Sequence, residues 1–362
     1  MENRIYLRIR EKIKETAAAT TLVLEPLEQT LHYQAGQFIT LIFKQLSPKE
    51  FRRSYSFSST PGVDAFPAIT VKKIPNGAAT RYLVDQTQVG DVLEAIHPAG
   101  QFTLPPSDGA PRDVVLIGGG SGITPLFSIL KQVLHQEPQS RVTLIFANSN
   151  EQSVIFRKAL LQLASQFVER LQVVYFLSNT IDSIFYLRQA EAPVTIRVER
   201  LSNALIGQLV QQQLHYETSK AQFFLCGPKH LMLKASQMLH YLQFAENQIH
   251  QETFTIVEPY RPPSALYGDS QVQIHYRDRD YDILVKGGQT ILEAAEAVGL
   301  ELPYSCRSGI CTTCAGRCTR GEVEMFTQAG RVSTALSNNV VFTCVGYPLT
   351  AEVGISIGVG GG

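Results

Sequence analysis

Up to about Pro106 the chain alternates apolar and polar residues in short runs, Tyr6 to Ile13, Thr21 to Leu24 and Phe38 to Phe43, with turn residues between them. A period of two is the mark of half-buried strands, so this stretch predicts an antiparallel β-barrel. From about Asp113 the texture changes to continuous apolar runs, Val114 to Ile117, Val142 to Phe146, Val173 to Leu177 and Phe223 to Cys226, separated by helical stretches such as Pro125 to His135. Strand alternating with helix implies an α/β domain on a parallel sheet. Between Val257 and Gly268 the periodicity vanishes and three prolines appear, which reads as a semi-rigid linker. Beyond it lies a compact unit with a helix from about Thr290 to Val298 and a glycine-rich tail, Gly358 to Gly362, expected to be disordered. The predicted division is 1–108, 109–256, a linker at 257–268, and 269–362.

Composition narrows the classes of function. A length of 362 residues suits two to three domains, each able to bury a core. With 32 basic and 32 acidic residues there is no global field to attract nucleic acid or anionic lipid, and neither is expected as a partner. No stretch approaches the roughly 18 uninterrupted apolar residues of a membrane helix, and the first residues, MENRIYLRIREKIKE, lack an apolar signal core. A cytoplasmic protein without membrane insertion is the expectation, and a reducing compartment keeps thiols free.

Free thiols matter here. Cys306-Arg-Ser-Gly-Ile-Cys311-Thr-Thr-Cys314, followed by Cys344, has the C-x4-C-x2-C…C spacing by which four thiolates hold a plant-type [2Fe-2S] cluster. A structural zinc site of two Cys-x2-Cys pairs competes, but only one such pair is present. Ser305, Ser308, Gly309, Thr312 and Thr313 are small enough to let backbone N–H groups approach the sulfurs. A sixth cysteine, Cys318, reads as packing because the ligand set is complete without it. The eight histidines show no metal-ligand spacing, and His97, His230 and His250 read as structural or exposed.

Two further regions carry phosphate chemistry. Arg53, Tyr55 and Ser56 form an R-x-Y-S pattern that, alone, is equally an ordinary polar strand. The next basic segment, Val71-Lys72-Lys73, runs into Asn76-Gly77-Ala78-Ala79-Thr80, a glycine turn opening a short helix whose free N–H groups suit a pyrophosphate. Two anion-ready elements beside an aromatic strand favour FAD over FMN. Further on, a buried strand runs straight into Gly118-Gly119-Gly120-Ser121-Gly122-Ile123-Thr124-Pro125, where glycines let backbone approach a phosphate, Thr124 can cap the helix and Pro125 suits its first turn. The third glycine of the usual G-x-G-x-x-G fingerprint is absent in every register. Phe223 to Pro228 repeats the logic with Cys226 at a strand's carboxyl end, a place for core packing or for a ligand contact.

Taken in order, these motifs resemble the ferredoxin-NADP reductase superfamily, in its members with a C-terminal ferredoxin. Within it the chain looks most like the reductase components of the phenylacetyl-CoA epoxidase and ketosteroid hydroxylase systems, and the resemblance covers nearly the whole chain. It implies a β-barrel FAD domain, an α/β NAD(P) domain and an α+β ferredoxin domain of the β-grasp type. By resemblance Arg53 holds the FAD diphosphate, Tyr55 stacks on the isoalloxazine, Ser56 hydrogen-bonds flavin N5, and Gly77 and Thr80 complete the diphosphate site. Gly118, Gly119, Gly120, Ser121, Gly122 and Thr124 cradle the nicotinamide dinucleotide, with Cys226, Gly227 and Pro228 near the nicotinamide ring. Glu252 and Phe254 resemble the E-x-F that closes the reductase module. Ser56 and Cys226 are the implied catalytic pair, and Cys306, Cys311, Cys314 and Cys344 the cluster ligands.

The expected function is electron splitting. NAD(P)H gives a hydride to FAD, and electrons leave singly through the cluster to an oxygenase or hydroxylase partner. A free-standing diaphorase with a small-molecule acceptor, or a redox-sensing carrier, are the alternatives; the attached ferredoxin argues against the first and the nucleotide site against the second. From Asp269 onward there are ten acids and seven bases, a modest negative balance that supports only weak steering toward a partner. Several relatives carry an arginine after the second strand of the nucleotide domain, where this chain reads Ala147-Asn148-Ser149-Asn150. Arg157 or Arg200 could supply a cation for a 2′-phosphate, and Glu151 could instead clamp a ribose. With Ser149 in place the expectation leans to NADPH.

Overall fold

The computed structural model describes residues 4–28, 30–46, 51–179, 194–254, 260–304, 307–309, 313–327, 330–334 and 338–358. Two compact units emerge, one built from residues 4–51 and 55–255, the other from residues 1–3, 52–54 and 256–362.

The larger unit contains two sheets. The first is antiparallel, from β1 (Arg4–Lys14), β2 (Ala19–Pro26), β3 (Phe38–Phe43), β4 (Phe51–Ser56), β5 (Ala68–Lys72) and β6 (Val92–Ala99), in the order β4-β3-β6-β1-β2-β5. A bridge between Phe57, just past β4, and Ile69 of β5 joins the two edges and closes the sheet into the expected barrel. Alternation along β1 points Ile5, Leu7 and Ile9 inward. A bulge between Ile9 and Glu11 then breaks the register, and Ile13 ends up exposed although the sequence pattern includes it. A four-residue helix, α1 (Ala78–Arg81), follows β5 and runs into a π turn, Tyr82–Gln86.

The second sheet is parallel: β7 (Asp113–Gly119), β8 (Arg141–Asn148), β9 (Leu171–Leu177), β10 (Val194–Arg197), β11 (Gln222–Cys226) and β12 (Ile249–Glu252), in the order β10-β9-β8-β7-β11-β12. Every residue of β7 is buried because helices cover both faces. Val114 and Leu116 pack toward α2 (Ile123–Gln136) and α3 (Arg157–Gln166), while Val115 and Ile117 pack toward α4 (Asn203–Gln213) and α5 (Lys229–Tyr241). The apolar runs read from the sequence are thus the sheet's central strands; β10 and β12, short and at its edges, carry weaker patterns.

A polar seam ties α2 to the barrel. Ser128 of α2 donates to the Ser59 carbonyl, the Thr60 hydroxyl donates to the Ser128 carbonyl at 2.8 Å, and Lys131 pairs with Asp64, whose carboxylate also accepts from the Thr60 amide at 2.6 Å. Lys131 is buried, so its ammonium depends on that carboxylate.

The smaller unit has a mixed five-stranded sheet, β14-β13-β20-β15-β18, from β13 (Ser270–Tyr276), β14 (Arg279–Val285), β15 (Ala315–Arg320), β18 (Val340–Phe342) and β20 (Glu352–Ile357), with β13 parallel to β20. A three-stranded sheet, β17-β16-β19, adds β16 (Val323–Thr327), β17 (Gly330–Ser333) and β19 (Gly346–Pro348). The helix α6 (Ile291–Ala297) supplies Ile291, Leu292, Ala294 and Ala295 to the core, giving the β-grasp arrangement. Thr290 is its N-cap and Glu293 completes a capping box, which is worth about 1 kcal/mol. The predicted linker is described from Tyr260, with a 3₁₀ turn at Ser264–Leu266; its first residues, and the tail beyond Gly358, lie outside the described residues.

Candidate functional site

The parallel sheet reverses its direction of growth between β7 and β11, the position where open α/β sheets bind ligands beyond their carboxyl ends. Register places three candidate residues abreast there: Cys226 stands opposite Gly118 of β7 on one side and Glu252 of β12 on the other. Ser56, the last residue of β4, donates its hydroxyl to Glu252 Oε2 at 3.0 Å. Residues 56, 118, 226 and 252, far apart in sequence, therefore form one cluster. Phe254 lies beyond the end of β12 and is exposed.

Burial sets the electrostatics of the cluster. Cys226 is fully buried, and desolvation, reinforced by the Glu252 carboxylate, pushes its thiol well above the usual range. It is a thiol at neutral pH, not a thiolate. Desolvation pushes Glu252 up to about 7, opposed only by the Ser56 hydrogen bond, so this carboxyl changes charge near neutrality. A carboxyl of that kind can hold or pass a proton beside the reacting atoms.

Beside the cluster, the two glycine turns interlock. A Cβ on Gly122 would sit 2.1 Å from the Cys226 carbonyl oxygen, and one on Gly227 would sit 2.8 Å from the Gly119 amide nitrogen. Gly120 has φ +55°, the left-handed region that favours glycine. No side chain caps α2: Thr124, expected to do so, donates instead to the Ser121 carbonyl at 2.7 Å, inside the 3₁₀ turn of Gly120–Gly122. The Ile123 N–H that opens the helix donates back into the 3₁₀ turn, to the Gly120 carbonyl, so an anion here would meet the glycine turn rather than the helix's own first N–H. Pro125 does occupy the first turn, and Pro228 opens α5.

From Gly119 and Gly120 a cavity of 430 Å³ opens along the ends of β8 and β9, lined among others by Lys72, Ser149, Ser153, Arg200, His230 and Lys234. Lys72 Nζ would lie 3.4 Å from a Cβ on Gly120. The basic strand β5 therefore points one lysine at the dinucleotide turn, and Lys73 pairs with Asp85 at 2.9 Å. Of the two arginines weighed from sequence, Arg200 lines this cavity, whereas Arg157 pairs with Glu151 at 2.5 Å. Glu151 itself is buried. Asn148, also buried, lines the cavity with neither amide atom hydrogen-bonded. His230, Lys234 and Lys72 carried no sequence signal as nucleotide contacts, since a lone basic residue on a strand or helix looks the same whether it faces a ligand or water.

On the flavin side, Arg53 and Tyr55 are half-buried on β4 and Ser56 is buried, as strand alternation requires. The α1 turn is closed by its own side chain. Thr80 donates to the Gly77 carbonyl at 3.0 Å and accepts from the Ile74 amide at 3.3 Å, and a Cβ on Gly77 would meet Thr80 Oγ1 at 2.3 Å. With no side chain capping α1, its leading N–H groups remain available to a diphosphate.

In the smaller unit Cys314 and Cys344 are buried, with their sulfurs 3.2 Å apart. The Thr343 amide donates to the Cys314 carbonyl at 3.1 Å and fixes the two loops together. Gly309 is left-handed at φ +69°, and the buried Thr313 hydroxyl has no hydrogen-bond partner. Two converging thiols beside an uncommitted hydroxyl fit a metal–sulfur group. Cys306 and Cys311 lie outside the described residues. Cys318 stands apart on β15, its thiol 3.3 Å from the Arg320 carbonyl, consistent with packing.

Comparison with known proteins supplies the remaining findings. Residues 4–104 match the family model of the oxidoreductase FAD-binding domain, residues 116–237 that of the oxidoreductase NAD-binding domain, and residues 274–349 that of the 2Fe-2S iron-sulfur cluster binding domain. The chain is 30% identical to a component of the 1,2-phenylacetyl-CoA epoxidase of Escherichia coli (strain K12), over 96% of this chain and 94% of that protein. It is 31% identical to the ferredoxin reductase component of 3-ketosteroid-9-alpha-monooxygenase of Rhodococcus rhodochrous, over 89% and 88%. Among solved structures, phthalate dioxygenase reductase has the same fold across 98% of both chains, with a TM-score of 0.58 at 19% identity.

Proposed function

We propose that this chain, which belongs to the family of FAD- and [2Fe-2S]-containing reductase components of oxygenase systems, draws its hydride from NADPH at the Ser56–Cys226–Glu252 cluster. It is an oxidoreductase whose electrons go to a partner oxygenase. Among the described residues no helix is long and apolar enough to cross a membrane. When bound, FAD accepts two electrons as hydride and releases them singly, and the cluster relays one at a time.

The chain's own residues supply position and proton control. Gly119, Gly120, Ser121 and Gly122 would receive the dinucleotide's phosphates on backbone N–H groups, with Lys72 as counter-charge, while Gly118, Thr124, Gly227 and Pro228 shape the turn. The buried Cys226 thiol packs against the nicotinamide and keeps water out. With FAD bound, Ser56 would turn its one hydroxyl proton from Glu252 to flavin N5, and Glu252 would hold the proton that balances the charge change there. Phe254, two residues past this carboxylate, would close the site beside the flavin. Arg53, Gly77 and Thr80 take the FAD diphosphate, and Tyr55 takes the ring face. Cys306, Cys311, Cys314 and Cys344 hold the cluster as thiolates.

One observation carries the assignment: the alignment of Gly118, Cys226 and Glu252 across three strands, with Ser56 hydrogen-bonded to the last. The preference for NADPH rests on Arg200, His230, Lys234 and Ser149 along the cavity, which outweigh its one carboxylate, Glu199, and on the burial of Glu151 away from it. Anaerobic stopped-flow reduction of the holoprotein with either dinucleotide tests both parts. Flavin bleaching followed by the spectrum of a reduced [2Fe-2S] cluster is expected, with kcat/KM at least about tenfold higher for NADPH. Bleaching without cluster reduction, or a preference for NADH, overturns the corresponding part.

A further inference from the structure

We propose that Arg157 sets the dinucleotide preference by holding Glu151 out of the adenosine pocket. Glu151 sits in a short 3₁₀ turn, Glu151–Ser153, directly after β8, the strand end where an acidic residue ordinarily clamps the ribose of NAD and repels a 2′-phosphate. Its neighbours Ser149 and Ser153 both line the cavity. Glu151 is nevertheless only 7% exposed and is absent from the lining of that cavity. What compensates it is the guanidinium of Arg157, with Nη2 2.5 Å from Oε1.

The fold aims that guanidinium. Arg157 is the first residue of α3, and the residue before it, Phe156, has φ +59°, a conformation that a bulky side chain adopts only when its surroundings impose it. Phe156 is buried and stacks on Phe127 of α2 at 4.3 Å, so the strained turn is held from the helix that carries the phosphate cradle. A backbone bent against its preference, presenting one cation to one buried anion, is the build of a lock.

Without the cation the arrangement fails in one direction. An uncompensated carboxylate is not stable when buried, and solvent lies across Ser149 and Ser153, in the cavity. There the freed carboxylate can accept from a ribose 2′-hydroxyl and repel a 2′-phosphate. Arg157 is thus a positioning residue acting through Glu151, which touches no substrate while the pair holds.

The inference rests on the NADPH reading, and the experiment separates the two. On the holoprotein, kcat/KM for NADPH and NADH is measured for wild type, R157Q, R157K, E151Q and E151Q/R157Q, together with calorimetric Kd values for adenosine 2′,5′-bisphosphate and adenosine 5′-monophosphate. R157Q is expected to move both the kinetic ratio and the Kd ratio about tenfold toward the non-phosphorylated ligand. R157K is expected to shift them the same way by less, E151Q alone to leave them unchanged, and the double variant to restore them. Equal losses for both dinucleotides in R157Q show a purely structural role and overturn the inference, as does a shift toward NADPH in E151Q alone. Should R157Q not fold, R157K decides: a shift abolished by adding E151Q supports the lock, and no shift overturns it. The wild-type ratio alone tests the NADPH reading.

Discussion

The proposed hydride site and the proposed cluster site are built in opposite ways. The first is assembled from strand ends: Gly118, Cys226 and Glu252 are placed by the register of β7, β11 and β12, and Ser56 by the barrel. The second is concentrated in loops, with Cys314 and Cys344 brought together by the Thr343 amide donating to the Cys314 carbonyl. Strand register is fixed by a whole sheet, so the hydride site tolerates almost no added volume; a loop of thiolates takes its final shape from the group it binds. The cost of error should therefore be steric at one site and chemical at the other.

Four perturbations test that contrast. The largest effect is expected from Cys344→Ser, which should abolish iron and acid-labile sulfide while flavin reduction by NAD(P)H stays within about twofold of wild type. Cys318→Ser should keep the cluster; iron analysis showing the reverse pattern would reassign the fourth ligand. Next comes Gly122→Ala. Its methyl meets backbone 2.1 Å away, so the two turns must part, and hydride transfer should fall at least about 100-fold with cluster content preserved. Retention of the wild-type rate would show that this close approach is dispensable. Cys226→Ala is milder: stopped-flow reduction should slow by about tenfold while dinucleotide Kd changes little. An unchanged rate returns the thiol to simple packing.

The smallest effect is one of pH. Glu252 is raised from 4.5 to about 7 in the folded protein, so the native state binds a proton that the unfolded state releases. Its protonation stabilises the fold below about 4.5, and that contribution is lost as pH rises through about 7. Between about pH 5 and 8 the flavin-free protein should lose at most about 2 to 3 kcal/mol relative to Glu252→Gln. Parallel denaturation curves for the two proteins at both pH values would instead place Glu252 in water.

Legibility in the sequence followed the same divide. Short-range patterns carried far: the continuous apolar runs found the central parallel strands, alternation found the barrel, and cysteine spacing found the iron–sulfur domain. Long-range geometry did not. That Ser56 reaches Glu252, or that Lys72 leaves the flavin strand to stand at Gly120, depends on how barrel and sheet meet. Thr124 looks like a helix cap by residue type, yet the glycine turn offers it the Ser121 carbonyl, leaving the helix without a side-chain cap. Ile13 continues an alternating pattern that a bulge has already broken. The hairpin of β13 and β14 turns on Arg277 and Asp278, both left-handed, where neither residue carries the asparagine–glycine signature of such turns.

The seam between α2 and the residues after β4 bears on how such proteins can be recombined. Ser128 and Lys131 meet Ser59, Thr60 and Asp64 through paired polar groups, some of them buried. A chimera that took its nucleotide domain from one relative and its barrel from another would leave the buried Lys131 without its aspartate wherever the barrel lacks one at this position. Grafts cut at about residue 108 should therefore express poorly unless residues 59–64 travel with the helix, making this six-residue stretch, inside the barrel by sequence, part of the nucleotide domain's heritable unit.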